Sequence, residues 1–238
     1  KTYFVGSEQY YRPLIIGHIN NLLFGNTQDG IVAKQPKHRL IPGGEDLAYI
    51  VRFGLRLTGQ TKTLNYFSYA KAVLKGKNQL QPFYIRDKVS VAAAVCSSII
   101  APQDYRTFAR SGATVFTNSA SLSIFKGSPL FAWQQKSLAR FMAGANARYF
   151  LQSANAASAY SIDINGKQTA EVKGRNTLLV EAKTNTVKTP YVYSGEWLLY
   201  LGFGMVICIM VYEGLGTYGT KKDAQSKSTK KSKVVHKS

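Results

Sequence analysis

Cys96 closes an uninterrupted apolar run, Val89-Ser-Val-Ala-Ala-Ala-Val-Cys96, and the stretch Lys37-His-Arg-Leu-Ile-Pro-Gly-Gly-Glu45 lies upstream of it. A thiol acts as a nucleophile once a base or a lowered pKa supplies the thiolate, and acyl transfer further needs a cation or N–H donors for the oxyanion. Lys37 offers the cation and Glu45 a carboxylate. A thiol at the carboxyl end of a buried strand also sits in the crevice where α/β proteins place their site groups. Each residue has a plainer reading when taken singly: a buried cysteine packs as a small hydrophobe, and Lys37 with Arg39 can form a solvated basic loop. The second cysteine, Cys208, falls in a strongly apolar segment, so both are expected as free thiols. His18, His38 and His236 have no metal-ligand spacing. No metal and no cofactor is expected.

The elements that must position these residues follow from periodicity. Leu14–Gly17 and Gly30–Ala33 read as short strands, and Pro42-Gly43-Gly44 interrupts regular structure just before Glu45. Residues 46–57 have helical spacing, with Leu47, Ile50, Val51 and Leu55 on one face. Residues 59–81 are polar, Lys-rich and aromatic and read as a loop exposing Tyr66, Phe67 and Tyr69. Val89–Val95 and Ala113–Asn118 read as strands covered on both faces, joined by a helix over 103–111. Leu130–Gly144 is predicted as an amphipathic helix. Tyr149–Ser153 and Ala159–Asp163 read as paired strands, with a turn at Asn165-Gly166, and Leu178–Ala182 as a further strand. The pattern is α/β.

The chain has 238 residues, 45% of them hydrophobic, which suits one domain of ordinary size plus an anchor. From Trp197 to Tyr212 it reads WLLYLGFGMVICIMVY without a charge. At a rise of about 1.5 Å per residue this segment, continued to residue 220, would cross a hydrocarbon core of about 30 Å, with tyrosines and Trp197 as interfacial belts. The Lys-rich residues 221–238 follow, and a positive cluster of that kind stays on the cytoplasmic side. The net charge is +19, yet no nucleic-acid motif accompanies it, so anionic lipid headgroups are the expected partner and nucleic acid is not. The divisions expected are 1–190, 191–220 with a transmembrane helix, and a cytoplasmic tail over 221–238. The chain begins with Lys1 and is expected to be a fragment or a processed product.

Lys37-His-Arg-Leu-Ile-Pro-Gly-Gly-Glu45, the strand ending at Cys96, Thr117-Asn118-Ser119, the helix from Ala132-Trp133-Gln134 to Ala139-Arg140, Ser161-Ile162-Asp163 and Asn165-Gly166-Lys167 resemble, in order and spacing, the nitrilase (carbon-nitrogen hydrolase) superfamily. With Thr189-Pro190-Tyr191, Gly195-Glu196-Trp197 and the terminal apolar segment, the likeness is strongest to the bacterial apolipoprotein N-acyltransferases. It implies an α-β-β-α sandwich, incomplete at its N-terminus, outside the inner membrane, with one C-terminal transmembrane helix. It further implies a two-step transfer in which Cys96 takes an acyl chain from a phospholipid as a thioester and passes it to the N-terminal amine of a lipoprotein. On this pattern Lys37 stabilises the oxyanion and Glu45 is a second, orienting carboxylate. Phe125, Trp133, Tyr66 and Phe67 then fall on two loops suited to lipid contact.

The chain departs from that pattern at three points. The general-base Glu of the family lies some sixty to seventy residues before the Lys, and only 36 residues precede Lys37. Ser97-Ser98 stand where the family has Tyr-Glu, and Asn155-Ala156-Ala157 where it has Asn-Asn-Gly. Three readings follow: a membrane-anchored thiol acyltransferase, helped by a partner chain supplying the missing N-terminal part; a catalytically degraded relative serving as a structural or binding subunit of an envelope or secretion assembly; and a membrane-tethered amidase or nitrilase. The first places the protein in the bacterial inner membrane with its main domain periplasmic.

Overall fold

The computed structural model describes residues 3–11, 18–37, 40, 46–69, 80–86, 88–125, 127–174 and 176–213. They divide into two compact units, residues 1–193 and 194–238. The first contains two sheets. Strands β1 (Tyr3–Tyr11), β2 (His18–Asn26) and β3 (Gly30–Pro36) form an antiparallel three-stranded sheet in that order. The second sheet has six strands in sequential order: β4 (Phe83–Arg86), β5 (Val89–Val95), β6 (Val115–Ser121), β7 (Tyr149–Asn155), β8 (Ala159–Ile162) and β9 (Gln168–Val172). Its centre, β5 to β7, is parallel, with Val91 opposite Val115 and Val115 opposite Tyr149, and its flanks are antiparallel.

The parallel centre explains the unbroken apolar run read in β5. Residues 90–94 are all buried, because both faces are covered and alternation with polar residues is not needed. On one face lie α3 (Pro102–Arg110) and α4 (Pro129–Asn146). Their Tyr105, Phe108, Ala139, Met142 and Ala143 pack with Ala92, Phe116, Phe150 and Ile162 in one core cluster. Tyr105 sits at its centre, edge-on to Phe116 at 5.2 Å. On the other face the three-stranded sheet closes against the six-stranded one, with Phe24 of β2 stacked on Phe83 of β4 at 4.8 Å.

Three layers, helix on sheet on sheet, are thus present. The fourth layer of the expected sandwich is not formed among the described residues. The only candidates, α1 (Tyr49–Leu57) and α2 (Thr61–Tyr69), pack on each other, and α1 buries none of its residues. Of its predicted apolar face, Ile50 is 79% exposed and Val51 46%. The stretch read as a loop over 59–81 contains α2, whose aromatics occur at helical spacing. Residues 178–182, read as a strand, are irregular. Further along, at Val187, the irregular chain is held by a side chain instead of a ladder: the buried Arg148 donates to Val187 O at 2.7 Å, and also to Ala113 O at 2.6 Å and to Asn146 O at 3.0 Å. The strand predicted at Leu14–Gly17 lies outside the described residues.

The second unit is helical over 197–213, and its side chains there are exposed from Trp197 through Tyr212. Among the described residues no helix is long and apolar enough to cross a membrane. The continuation to residue 220 that the spanning reading needs lies outside them.

Candidate functional site

The carboxyl end of β5 is where the site is built. Val95 has extended dihedrals, φ −118° and ψ 125°, and Cys96 then turns into the left-handed region at φ 48°. That region crowds the Cβ of an L-residue and costs roughly 1–2 kcal/mol, so a non-glycine side chain held there reports a constraint imposed by its surroundings. The chain continues as a short 3-10 segment, Cys96–Ile100, and enters α3 through Pro102 at its first turn. A side chain on such a strand-to-helix corner projects past the sheet edge, the geometry by which a nucleophile elbow presents its reacting atom. Cys96 is half-buried, and both cysteines are free.

An amide ladder holds this corner. Asn118 Nδ2, on β6, donates to Cys96 O at 3.4 Å and to Gln152 Oε1, on β7, at 3.0 Å. Gln152 passes the chain on by donating to Ser153 O at 3.0 Å. Asn118 and Gln152 face one another because parallel register places them opposite. Three neighbouring strand ends are thereby tied together beneath Cys96.

Lys37 follows β3 directly and is 2% exposed. It lines a small cavity of about 10 Å³ together with Val95, which precedes Cys96, with Ser98, two residues after it, and with Asp104 of α3; Cys96 itself is not among the walls. Asp104 is itself 4% exposed. The three-stranded sheet thus delivers an ammonium to the end of β5, and the helix after Cys96 delivers a carboxylate to the same place. A cation near the end of the strand that carries a thiol is the type of group that can stabilise the oxyanion formed when the thiol adds to a carbonyl. Asp104 was not legible as a site residue in the sequence, where it reads as an ordinary acidic group in a first helical turn. Asn118 was legible only as part of a motif, and Gln152 not at all.

Glu45 lies outside the described residues. Tyr66 and Phe67 fall on α2, and their side chains lie outside them as well. Phe125 and Trp133 do come together, but in a second cavity of about 520 Å³ beyond the ends of β6 to β8, which does not include Lys37 or Cys96 in its walls. Phe125 stacks on Phe131, while Trp133 is 66% exposed. Across this cavity Lys136 Nζ donates to Glu171 Oε2 at 2.7 Å, and that hydrogen bond, helped by others from Ser158 and Gln168 against a smaller effect of burial, holds the Glu171 carboxyl down at about 2. Burial, with the Glu171 charge second, pushes the Tyr160 hydroxyl up.

Comparison of the fold with solved structures returns carbon-nitrogen hydrolases. A carbon-nitrogen hydrolase from Helicobacter pylori superposes with a TM-score of 0.52 at 14% identity, over 71% of this chain and 58% of its own. An amidase from Nesterenkonia sp. AN1, carrying the acetamide moiety of fluoroacetamide on its active-site cysteine, gives 0.53 at 13% identity, over 84% and 66%. Nit3 of Saccharomyces cerevisiae, a member of branch 10 of the nitrilase superfamily, gives 0.50 at 15%, over 70% and 54%. The chain therefore spans somewhat over half to two thirds of the length of these proteins. At such identities the likeness establishes the fold, a mixed α/β sandwich of the nitrilase type. No protein-family model matches the chain, and no curated protein matches it in sequence.

Proposed function

We propose that this protein is a thiol acyltransferase of nitrilase fold, with Cys96 as nucleophile. One observation carries the reading: a cysteine forced to φ 48° at the carboxyl end of a buried parallel strand, with a buried lysine against the same strand end. The Cys96 thiolate adds to the ester carbonyl of a phospholipid, and Lys37 holds the oxyanion. The carbon–oxygen bond then breaks, the lysophospholipid leaves as its alcohol with the proton, and a Cys96 thioester remains. The amine of a lipoprotein N-terminus adds to that thioester, the carbon–sulfur bond breaks, the thiolate returns and the ammonium proton is lost to the base. Glu45 orients Lys37, and the base that serves both steps comes from outside the chain described, on a partner or a further segment. Removal of one oxyanion donor costs about 10²- to 10³-fold in rate in such sites.

The setting in this proposal is the bacterial inner membrane, with the sandwich periplasmic and the Lys-rich tail cytoplasmic. The exposed apolar helix over 197–213 and the seven lysines of residues 221–238 support it. Phe125 and Trp133 supply apolar surface beyond the strand ends, next to the lipid.

A second reading, a non-catalytic relative that keeps the sandwich as a binding subunit, is favoured by two observations. The cavity at Lys37 holds about 10 Å³, room for a single water, and Ser97 and Ser98 are buried where the resemblance calls for a Tyr and a Glu. Intact-mass spectrometry of the full chain from membranes, with and without hydroxylamine, separates the two. A hydroxylamine-labile fatty-acyl adduct absent from Cys96→Ala supports the transferase, while an unmodified Cys96 after incubation with phospholipid supports the binding subunit. An adduct released by water as readily as by amine would shift the reading to a tethered amidase.

A further inference from the structure

Helix α1 is inverted relative to a helix that packs on a core. At about 100° per residue, Tyr49, Ile50, Phe53 and Leu57 fall in one continuous stripe along it. These four side chains are 75%, 79%, 61% and 71% exposed. The half-buried side holds Arg52 and Leu55 instead, and Arg52 Nη2 donates to Asp46 Oδ1 at 2.8 Å. Four large apolar side chains turned outward on one helix mark a surface that meets something apolar.

The charges around the stripe select its partner. Arg56 is exposed at the border, three residues after Phe53 and seven after Tyr49, and Lys62 is exposed on α2, which packs on α1. From Leu47 to Leu80 the sequence carries Arg52, Arg56, Lys62, Lys71, Lys75 and Lys77 and no Asp or Glu. A second copy of this chain would bring the same cations to the same face and be repelled. Nucleic acid would answer the cations but leave Ile50, Phe53 and Leu57 in water. An anionic lipid surface answers both, its headgroups taking the cations and its upper acyl region the stripe.

We propose that α1 lies in the plane of an anionic bilayer surface, with its apolar stripe sunk among the headgroups and Arg56 and Lys62 on the phosphates. The contact rests on the membrane setting given above, but not on acyl transfer at Cys96. Four apolar side chains on nine residues bind a bilayer weakly, so α1 orients a sandwich held at the membrane and does not anchor it.

A single-cysteine scan of the full chain in a Cys96→Ala, Cys208→Ser background tests this. One cysteine is introduced on the stripe, as Ile50→Cys, Phe53→Cys or Leu57→Cys, or turned away from it, as Val51→Cys or Thr58→Cys, and labelled with a nitrobenzoxadiazole fluorophore. Each protein is reconstituted into vesicles of three parts phosphatidylcholine to one of phosphatidylglycerol, with and without nitroxide-labelled lipid. Labels at 50, 53 and 57 should emit to the blue and be quenched by the nitroxide at least about threefold more than labels at 51 and 58. Vesicles of phosphatidylcholine alone, or Arg56→Gln with Lys62→Gln, should reduce that difference by at least about half, because each cation near an anionic surface is worth about fivefold in partition. Flotation of the chain with the vesicles reads the membrane setting separately. A chain that floats while the stripe labels stay in water, or that is quenched equally at all five positions, overturns the α1 contact and leaves the setting intact. Blue emission untouched by the lipid nitroxide overturns it as well, since protein then covers the stripe. A chain that does not float overturns the setting and the contact together. Because Cys96 is absent from every variant, none of these outcomes bears on whether the thiol is acylated.

Discussion

Lys37 and Asp104 are the buried charges of the Cys96 corner, and their mutual dependence can be measured. They are 2% and 4% exposed and line the same water-sized cavity. At an effective dielectric constant of about 20, opposite charges attract by roughly 4 kcal/mol at contact and by progressively less as they separate. Replacing Lys37 with Met keeps most of the side-chain volume but removes the cation from the cavity that buried Asp104 also lines. Breaking a buried pair from one side costs about 3–5 kcal/mol, whereas removing both charges is often close to neutral. The cycle Lys37→Met, Asp104→Asn and the double variant should therefore show a coupling of about 2–3 kcal/mol, the double variant being more stable than the sum of the singles implies. For a chain of this size 1 kcal/mol moves the melting temperature by about 2–4 °C, so the coupling is visible by scanning calorimetry or circular dichroism. If the two effects add to within about 0.5 kcal/mol, Lys37 and Asp104 do not act on each other, and Asp104 has no part in the corner.

Two other outcomes follow from side chains with defined partners. Arg148→Met should destabilise the sandwich by about 3 kcal/mol or more, since the guanidinium satisfies carbonyls of Ala113, Asn146 and Val187 that would be left without a donor; urea unfolding reads it, and a loss under about 1 kcal/mol would show that water replaces the arginine. Glu171, held at about 2 by Lys136, contributes stability present above about pH 4.5 and lost as the pH falls from there towards 2. The pair is partly exposed, so the effect is under about 1 kcal/mol, and Glu171→Gln should remove that part of the acid sensitivity in melts run between pH 5 and 2.

The parallel centre of the fold was legible because burial on both faces leaves a plain mark, the unbroken run from Val89 to Val95. The helix over 103–111 and the long helix over 130–144 were legible from spacing; the structure starts them at Pro102 and Pro129, each a proline in the first turn. Residues 178–182 misled because apolar content looks the same whether backbone groups are satisfied by a ladder or, as here, nearby segments are held by Arg148 and Asn185. For the candidate site, Cys96 and Lys37 could be singled out from type and local position alone, since a strand end and a basic residue can each be read locally. Asp104, Asn118 and Gln152 depend on which helix covers which strand and on parallel register, and neither is written in any one segment. Phe125 and Trp133, read as lying on one lipid-contacting loop, line a cavity that lies beyond β6 to β8 and does not have Lys37 in its walls.

The irregular stretch before Tyr193 has a mechanical consequence. Arg148 grips Val187 O, Asn185 donates to Ala147 O, and Arg106 of α3 donates to Val192 O at 3.1 Å and Tyr193 O at 3.2 Å. These bonds run from separate points on α3 and the end of α4 to successive carbonyls and amides of one strap. Tension arriving from the C-terminal side would meet several of these bonds before it reached a strand of the sheet. From residue 185 onward the strap is thus tied to the core at several separate points despite its lack of regular structure.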